Sequence, residues 1–252
     1  KDKYLEKFCA AGYTVAVISQ EFEGPGSPRT LECILSPGTY FSQEQEIMSN
    51  IISCFWIFYT TFNNIPMLVI GISSIDIFTC KVNCFEYEIE YIDSPTTFDE
   101  LERFNSINPA NECIIISNLE DEKLKNIIPF SGIKSKSIHL IDLNDKENQL
   151  SIDANKCESQ VFQDEILSYC YGDSYTFSSE LYKYGICGQS LCFLLNFINN
   201  HNQNLIKKIS EPTFENKISR MVLANHSLKQ LNMIDVGDYS GPYSSVTKLL
   251  NQ

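Results

Sequence analysis

The sequence lacks any apolar run near the roughly 18 to 20 residues that a membrane-spanning helix needs. Its richest stretch, Ile51 to Phe62, is about half that length and reads as a buried strand, so no membrane span is expected. No signal-peptide pattern opens the chain. No Gly-x-x-x-x-Gly-Lys-Ser/Thr loop is present, which excludes a P-loop nucleotide site in these 252 residues. Histidine is scarce: His139, His201 and His226 are far apart, and no Cys-His or Ser-His-Asp constellation can be argued from them. Basic residues are also few, 19 Lys and Arg against 32 Asp and Glu.

That imbalance is uneven. Residues 51–110 hold 2 basic against 8 acidic side chains and residues 111–165 hold 6 against 11, whereas residues 166–252 hold 7 against 6. An acidic surface repels a phosphate backbone, so the middle of the chain is not expected to be a DNA-binding face. The nearly neutral last third is free to approach DNA. Cysteine, by contrast, is plentiful. Its ten copies fall mostly inside apolar periodic segments such as Glu112-Cys113-Ile114-Ile115-Ile116, the usage of reduced core thiols in a reducing compartment. Cys80-x3-Cys84 and Cys187-x4-Cys192 do not make a zinc site: on one extended strand Cys80 and Cys84 would stand about 13 Å apart at about 3.3 Å per residue.

Periodicity lays out the elements. Apolar Tyr4, Leu5, Phe8 and Cys9 are spaced for a helix ending at Gly12, and strands follow over Tyr13–Ile18 and Thr30–Leu35 around a Gly/Pro loop. Three long strands come next, Cys54–Thr61, Pro66–Ile77 and Lys81–Ile92, with Asn63-Asn64 as the first turn. A helix over Phe98–Phe104 follows, with Asp99, Glu100 and Glu102 in its first turns. Glu112–Ser117 has the continuous apolar character of a central strand covered on both faces. A helix over Glu120–Ile127 and a strand over Ser137–Ile141 complete a mixed sheet of order β-β-β-α-β-α-β, an RNase-H-like α/β arrangement. Asp142–Lys156 reads as a polar stretch. Helices are expected over Gln163–Tyr169, Ser190–Asn200 and Lys217–Leu231.

Three segments resemble the MutS family of DNA mismatch-repair proteins. The first is Lys3-Tyr4-Leu5-Glu6-Lys7 with Ala11-Gly12-Tyr13-Thr14-Val15-Ala16-Val17-Ile18-Ser19-Gln20, then Arg29 and Ser36-Pro37-Gly38-Thr39. It is similar to the end of the family's mismatch-binding domain, and it is the most specific of the three. The second runs from Gly71 through Asp76 to Thr79, then Glu100-Leu101 and Asn108-Pro109-Ala110-Asn111-Glu112, and resembles the connector domain. The third, Ser227–Met233 with Ser245–Leu250, resembles the opening helix of the lever. The Ile- and Asn-rich wording is similar to that of giant-virus members. Cys33 and Cys80 stand where the family usually has Arg and Gly.

The resemblance implies an internal fragment: residues 1–45 the end of a mismatch-binding domain with α+β character, 50–212 an RNase-H-like connector domain, and 213–252 the start of a helical core/lever domain. The implied role is to couple mismatched-DNA binding to ATPase domains and to dock a MutL-like partner. ATP and Mg²⁺ would be bound by the parent, which is expected to be a homodimeric DNA-dependent ATPase; no cofactor, metal or catalytic residue is expected in this segment. The implied location is intracellular, cytoplasmic or within a viral factory. Arg29 is a candidate phosphate contact, weighed equally against a solvated loop residue, while Gln20, Ser36, Pro37, Gly38, Thr39, Gly71 and Asp76 are expected as structural motif residues. The competing reading is an RNase-H-like Mg²⁺-dependent nuclease using Asp76. A nuclease needs further carboxylates at neighbouring strand ends, and the central strand ends in Asn118, with Glu120 and Asp121 at a helix start.

Overall fold

In the N-terminal part a short helix packs beside a two-stranded hairpin. Helix α1 (Asp2–Ala10) turns its Cys9 inward and leaves Tyr4 and Phe8 exposed. Gly12 ends it with a φ of +89°, a conformation natural to glycine, and a Cβ there would lie 3.0 Å from the Lys136 carbonyl oxygen. Strands β1 (Val15–Gln20) and β2 (Arg29–Leu35) pair antiparallel, with Val15 opposite Leu35 and Gln20 opposite Arg29. The structure, a computed structural model, describes residues 2–20, 29–40, 49–172, 175–201, 203–206, 208–215, 230–233, 245–246 and 249.

The sheet is built on a meander of β3 (Ile51–Phe62), β4 (Ile65–Asp76) and β5 (Val82–Glu90). Asn63 and Asn64 form the β3–β4 turn with φ of 50° and 63°, a two-residue turn whose twist suits adjacent antiparallel strands and which asparagine tolerates. After a 3-10 turn at Pro95–Phe98, helix α2 (Asp99–Ile107) leads to β6 (Glu112–Ser117), and α3 (Asp121–Phe130) leads to β7 (Ser137–Asp142). Strand β6 is parallel to β3 and β7 is parallel to β6. A three-residue strand β8 (Pro212–Phe214) adds to β5, giving the order β7-β6-β3-β4-β5-β8.

Each face carries its own core. On one face Phe55, Ile70, Ile72 and Phe85 meet Phe98, Leu101 and Phe104, and the Phe85 and Phe104 rings stack 6.2 Å apart. On the other lie α4 (Gln149–Lys156), α5 (Gln160–Tyr171), α6 (Ser178–Lys183), α7 (Gly185–His201) and α8 (Gln203–Ile206). Helix α7 buries Leu191, Leu194, Leu195 and Ile198 among Cys54, Trp56, Ile75 and Ile116, and burying one such side chain contributes about 1.5–3 kcal/mol. Because α7 is covered by α5 on its outer side, ten of its residues are buried and its polar periodicity is weak. Strand β6 is buried at every position, as its apolar run predicts.

The α/β architecture and mixed sheet match the sequence reading, and the differences are in added elements: α4, α6, α8 and β8 were not expected. The polar stretch after Asp142 contains α4, started by Asn148, whose side chain accepts from the Leu150 N–H at 2.9 Å. Strand β8 was hidden by its opening Pro212, which an edge position accepts because that residue has no N–H to give. Residues 217–229 of the helix expected over Lys217–Leu231, and most of the lever-like segment, lie outside the described residues.

Candidate coupling junction

The turn at Ser36–Thr39 closes on itself before it touches anything else. The Ser36 N–H donates to Thr39 Oγ1 at 2.8 Å, the two hydroxyls are 2.9 Å apart, and Pro37 restricts the backbone between them. All four residues are buried. This folded turn then docks on Glu112, the first residue of β6. Glu112 Oε2 accepts from the Ser36 hydroxyl at 2.5 Å and from the Gly38 N–H at 2.9 Å, while Oε1 lies 2.7 Å from His139 Nε2 on β7.

Glu112 is 0% exposed. A carboxylate buried without donors would neutralise itself. Burial pushes the Glu112 carboxyl up, but the bonds from His139 and Ser36, the charge interaction with His139 and the Gly38 N–H outweigh it, and the group is held below the usual carboxylate range. Gly38 must lack a side chain here: a Cβ would lie 2.4 Å from Ile52 Cγ1 and 2.7 Å from Glu112 Oε2.

Two asparagines extend the junction. Asn50 Nδ2 donates to the Gly38 carbonyl at 2.7 Å, and Asn50 Oδ1 accepts from Asn111 Nδ2 at 2.7 Å. The Asn50 N–H donates to Asp76 Oδ1 at 3.1 Å, and Asp76 also accepts from the Phe78 N–H at 3.0 Å and the Thr79 hydroxyl at 2.8 Å. Asp76 thus holds the β4–β5 turn and the start of β3. The N-terminal part is thereby fastened to the β3, β4, β6 and β7 strand ends on one side of the sheet.

Gly71 does a different task. It lies opposite Glu86 in the β4–β5 register, and a Cβ on it would fall 2.3 Å from the Cys187 nitrogen, so the first turn of α7 rests directly on the β4 backbone. Glu86 Oε2 accepts the Cys187 N–H at 2.7 Å, a carboxylate at a helix N-terminus where the dipole favours it. Burial raises the Glu86 pKa, and its bonds to the Cys187 and Ile186 N–H groups oppose that rise only in part. Further along, Ser190 Oγ lies 2.8 Å from Ser73 Oγ and donates to the Cys54 carbonyl at 2.8 Å, while Cys187 Sγ meets the Ile72 carbonyl at 3.2 Å.

The other singled-out residues fall elsewhere. Arg29 and Gln20 are exposed at the end of the hairpin remote from Ser36, about 20 Å away along an extended strand. Asn118 is not beside Asp76: it lies past the far end of β6, where its side chain pairs with the Tyr59 N–H at 2.8 Å and carbonyl at 2.9 Å. The two positions weighed as one nuclease site are therefore at opposite ends of the sheet. Cys80 is not on a strand with Cys84; it sits in the preceding turn with a φ of 58°. All ten cysteines are free, and burial raises the thiols of Cys54 and Cys170 to about 12. His201 bonds the Phe197 carbonyl at 2.7 Å within α7. His226 lies outside the described residues. Among the described residues, no three His, Cys, Asp or Glu side chains gather as a metal-binding group, and no helix is long and apolar enough to cross a membrane.

Asn50 and His139 were missed as junction residues by sequence reasoning, and Asn111 and Glu112 stood there only as part of the connector-like motif, with no junction role. The available signal was a charged residue opening an otherwise apolar central strand.

No protein-family model matches the chain. The chain is similar to the "Putative DNA mismatch repair protein mutS homolog" of Acanthamoeba polyphaga mimivirus, at 26% identity over 263 aligned residues. The match covers 96% of this chain and 23% of that protein, so the chain spans about a quarter of its relative's length.

Proposed function

We propose that this chain is the coupling region of a MutS-like DNA mismatch-repair protein. In this reading the N-terminal part belongs to a mismatch-binding domain, and the sheet is an RNase-H-like connector that passes its movement toward a lever and ATPase domains. The observation that carries the reading is the docking of Ser36-Pro37-Gly38-Thr39 on the buried Glu112. A turn held through a buried carboxylate and two asparagines moves with the sheet, so a tilt of one part is delivered to the other.

The sheet supports the finer fold reading. Three antiparallel strands are followed by two parallel ones, each reached through a helix on the same face, with the first strand next to the fourth. The likeness to the mimivirus protein supports the mismatch-repair reading. In the parent, mismatched DNA, a MutL-type partner, ATP with Mg²⁺ and a second copy are the expected partners. The acidic middle of the chain suits a protein-facing role better than a DNA-facing one.

The test is made in the full-length parent with Glu112→Ala. Mismatch binding and basal ATP hydrolysis should persist while stimulation of hydrolysis by mismatched DNA falls. Stimulation that is unchanged although the Ser36–Thr39 turn has been released would refute the coupling role. For the isolated chain, binding to ATP or to duplex DNA at low salt should be weaker than about micromolar.

A further inference from the structure

A surface cavity of about 490 Å³ lies between α6 and β8, far along the sheet from the Glu112 junction. That volume is within the range of about 300–1,000 Å³ typical of binding sites. Its walls include the rings of Phe177, Tyr184 and Phe214, packed on one another: Tyr184 and Phe214 stack 6.0 Å apart at 17°, and Phe177 and Phe214 are 6.4 Å apart. Two carboxylates share the lining. Glu211 accepts from both the N–H and the hydroxyl of Thr176, which fixes its orientation, and Glu180 accepts from the Ser179 hydroxyl at 2.6 Å.

Flat π faces beside oriented carboxylates are the acceptors that a planar cation needs. The molecule builds the same set around one of its own side chains. The Arg103 guanidinium carbon lies 5.1 Å from the Phe85 ring centroid, and its nitrogens reach Glu100 at 2.8 Å and Glu215 at 3.3 Å. Glu215 directly follows Phe214, so the two constellations adjoin at β8. Lys183 Nζ stands 4.9 Å from the Tyr184 ring centroid, so this ring accepts a cation, and an incoming guanidinium displaces that exposed ammonium.

We propose that the α6–β8 cavity receives an arginine side chain of a partner protein, its guanidinium stacked on Tyr184 and Phe214 and paired with Glu180 and Glu211. A guanidinium suits this better than an ammonium, because its plane lies on a ring while its edge meets a carboxylate. The lining itself carries two carboxylates, Glu180 and Glu211, against one ammonium, Lys183, and this local excess of negative charge favours a cationic side chain. The inference does not depend on the coupling role.

The test uses the whole chain, titrated with a blocked three-residue peptide carrying one arginine, followed by amide chemical shifts. Saturable shifts should gather around Tyr184, Glu211 and Phe214. The citrulline version of the peptide, which keeps the shape and loses the charge, should bind at least about tenfold more weakly. Glu180→Gln should weaken the arginine peptide while leaving the shifts of α7 and β4 unchanged; Glu211→Gln is a second variant that also loosens Thr176. Equal binding of the two peptides, shifts spread over the whole acidic surface, or an unaltered affinity in Glu180→Gln would each overturn the proposal. So would protection of these residues by self-association of the chain in place of peptide binding.

Discussion

Two elements are fastened to the same sheet by opposite means. The Ser36–Thr39 turn is held at the strand ends by hydrogen bonds to a buried carboxylate and to a pair of asparagine side chains. Helix α7 is held on the sheet face by a run of buried leucine and isoleucine side chains, made possible by the missing side chain at Gly71. The first attachment is all-or-none, because removing one partner of a buried charge leaves the others without their buried partner. The second is graded, because apolar contacts are many and individually small. The first kind resists sliding, as the proposed transmission of movement requires. A structural cover gains from the second.

The largest effect that separates the two should come from Glu112→Ala. It leaves the Ser36 hydroxyl, the Gly38 N–H and the His139 ring without their acceptor, and breaking a buried pair in this way costs about 3–5 kcal/mol. Urea unfolding should show that loss, and hydrogen exchange should show the Ser36–Thr39 turn released while α7 stays protected. Gly71→Ala should do the reverse. Its Cβ would meet the backbone of Ile186 and Cys187 at 2.3–2.6 Å, so the first turn of α7 must shift, with a cost of about 3 kcal/mol expected in urea unfolding and exchange losses confined to α7.

Acid should separate the attachments without any mutation. The folded pKa of Glu112 lies below its ordinary 4.5, so its contribution is present above that pH and is lost as pH falls through the lower folded value. Glu86, under α7, has a raised folded pKa, so folding disfavours its ionised form and acidification relieves that penalty. Exchange measured at falling pH should loosen the turn before α7; loosening of α7 first would contradict the assignment. The smallest effect is Ser190→Ala, which removes the bridge between Ser73 and the Cys54 carbonyl and should cost about 1 kcal/mol in urea unfolding without moving the helix.

Legibility in the sequence followed the range of the interactions. The meander was readable because Asn63-Asn64 and the apolar runs around it are local signals, and Glu112–Ser117 was readable because a strand covered on both faces carries a continuous apolar run, Cys113 to Ile116. Helix α4 was not readable. Its helix rests on one cap at Asn148 and on burying Ser151 and Ala154, none of which makes an apolar stripe. The motif Ser36-Pro37-Gly38-Thr39 was visible as a turn, but its partner is 76 residues away at Glu112, and no local pattern encodes that pairing. The same limit misplaced Asn118 beside Asp76, because strand ends are assigned to one side of a sheet by strand direction.

The central claim is that the N-terminal part and the sheet form one mechanical unit through Glu112, and the Gly38 amide reports on it most directly. Its N–H donates to the buried Glu112 carboxylate at 2.9 Å. Native-state hydrogen exchange should find this amide protected to the same degree as the β6 amides Ile114 and Ile116, opening only when the sheet opens. A Gly38 amide that exchanges as fast as the exposed hairpin residues, while β6 remains protected, would contradict the account.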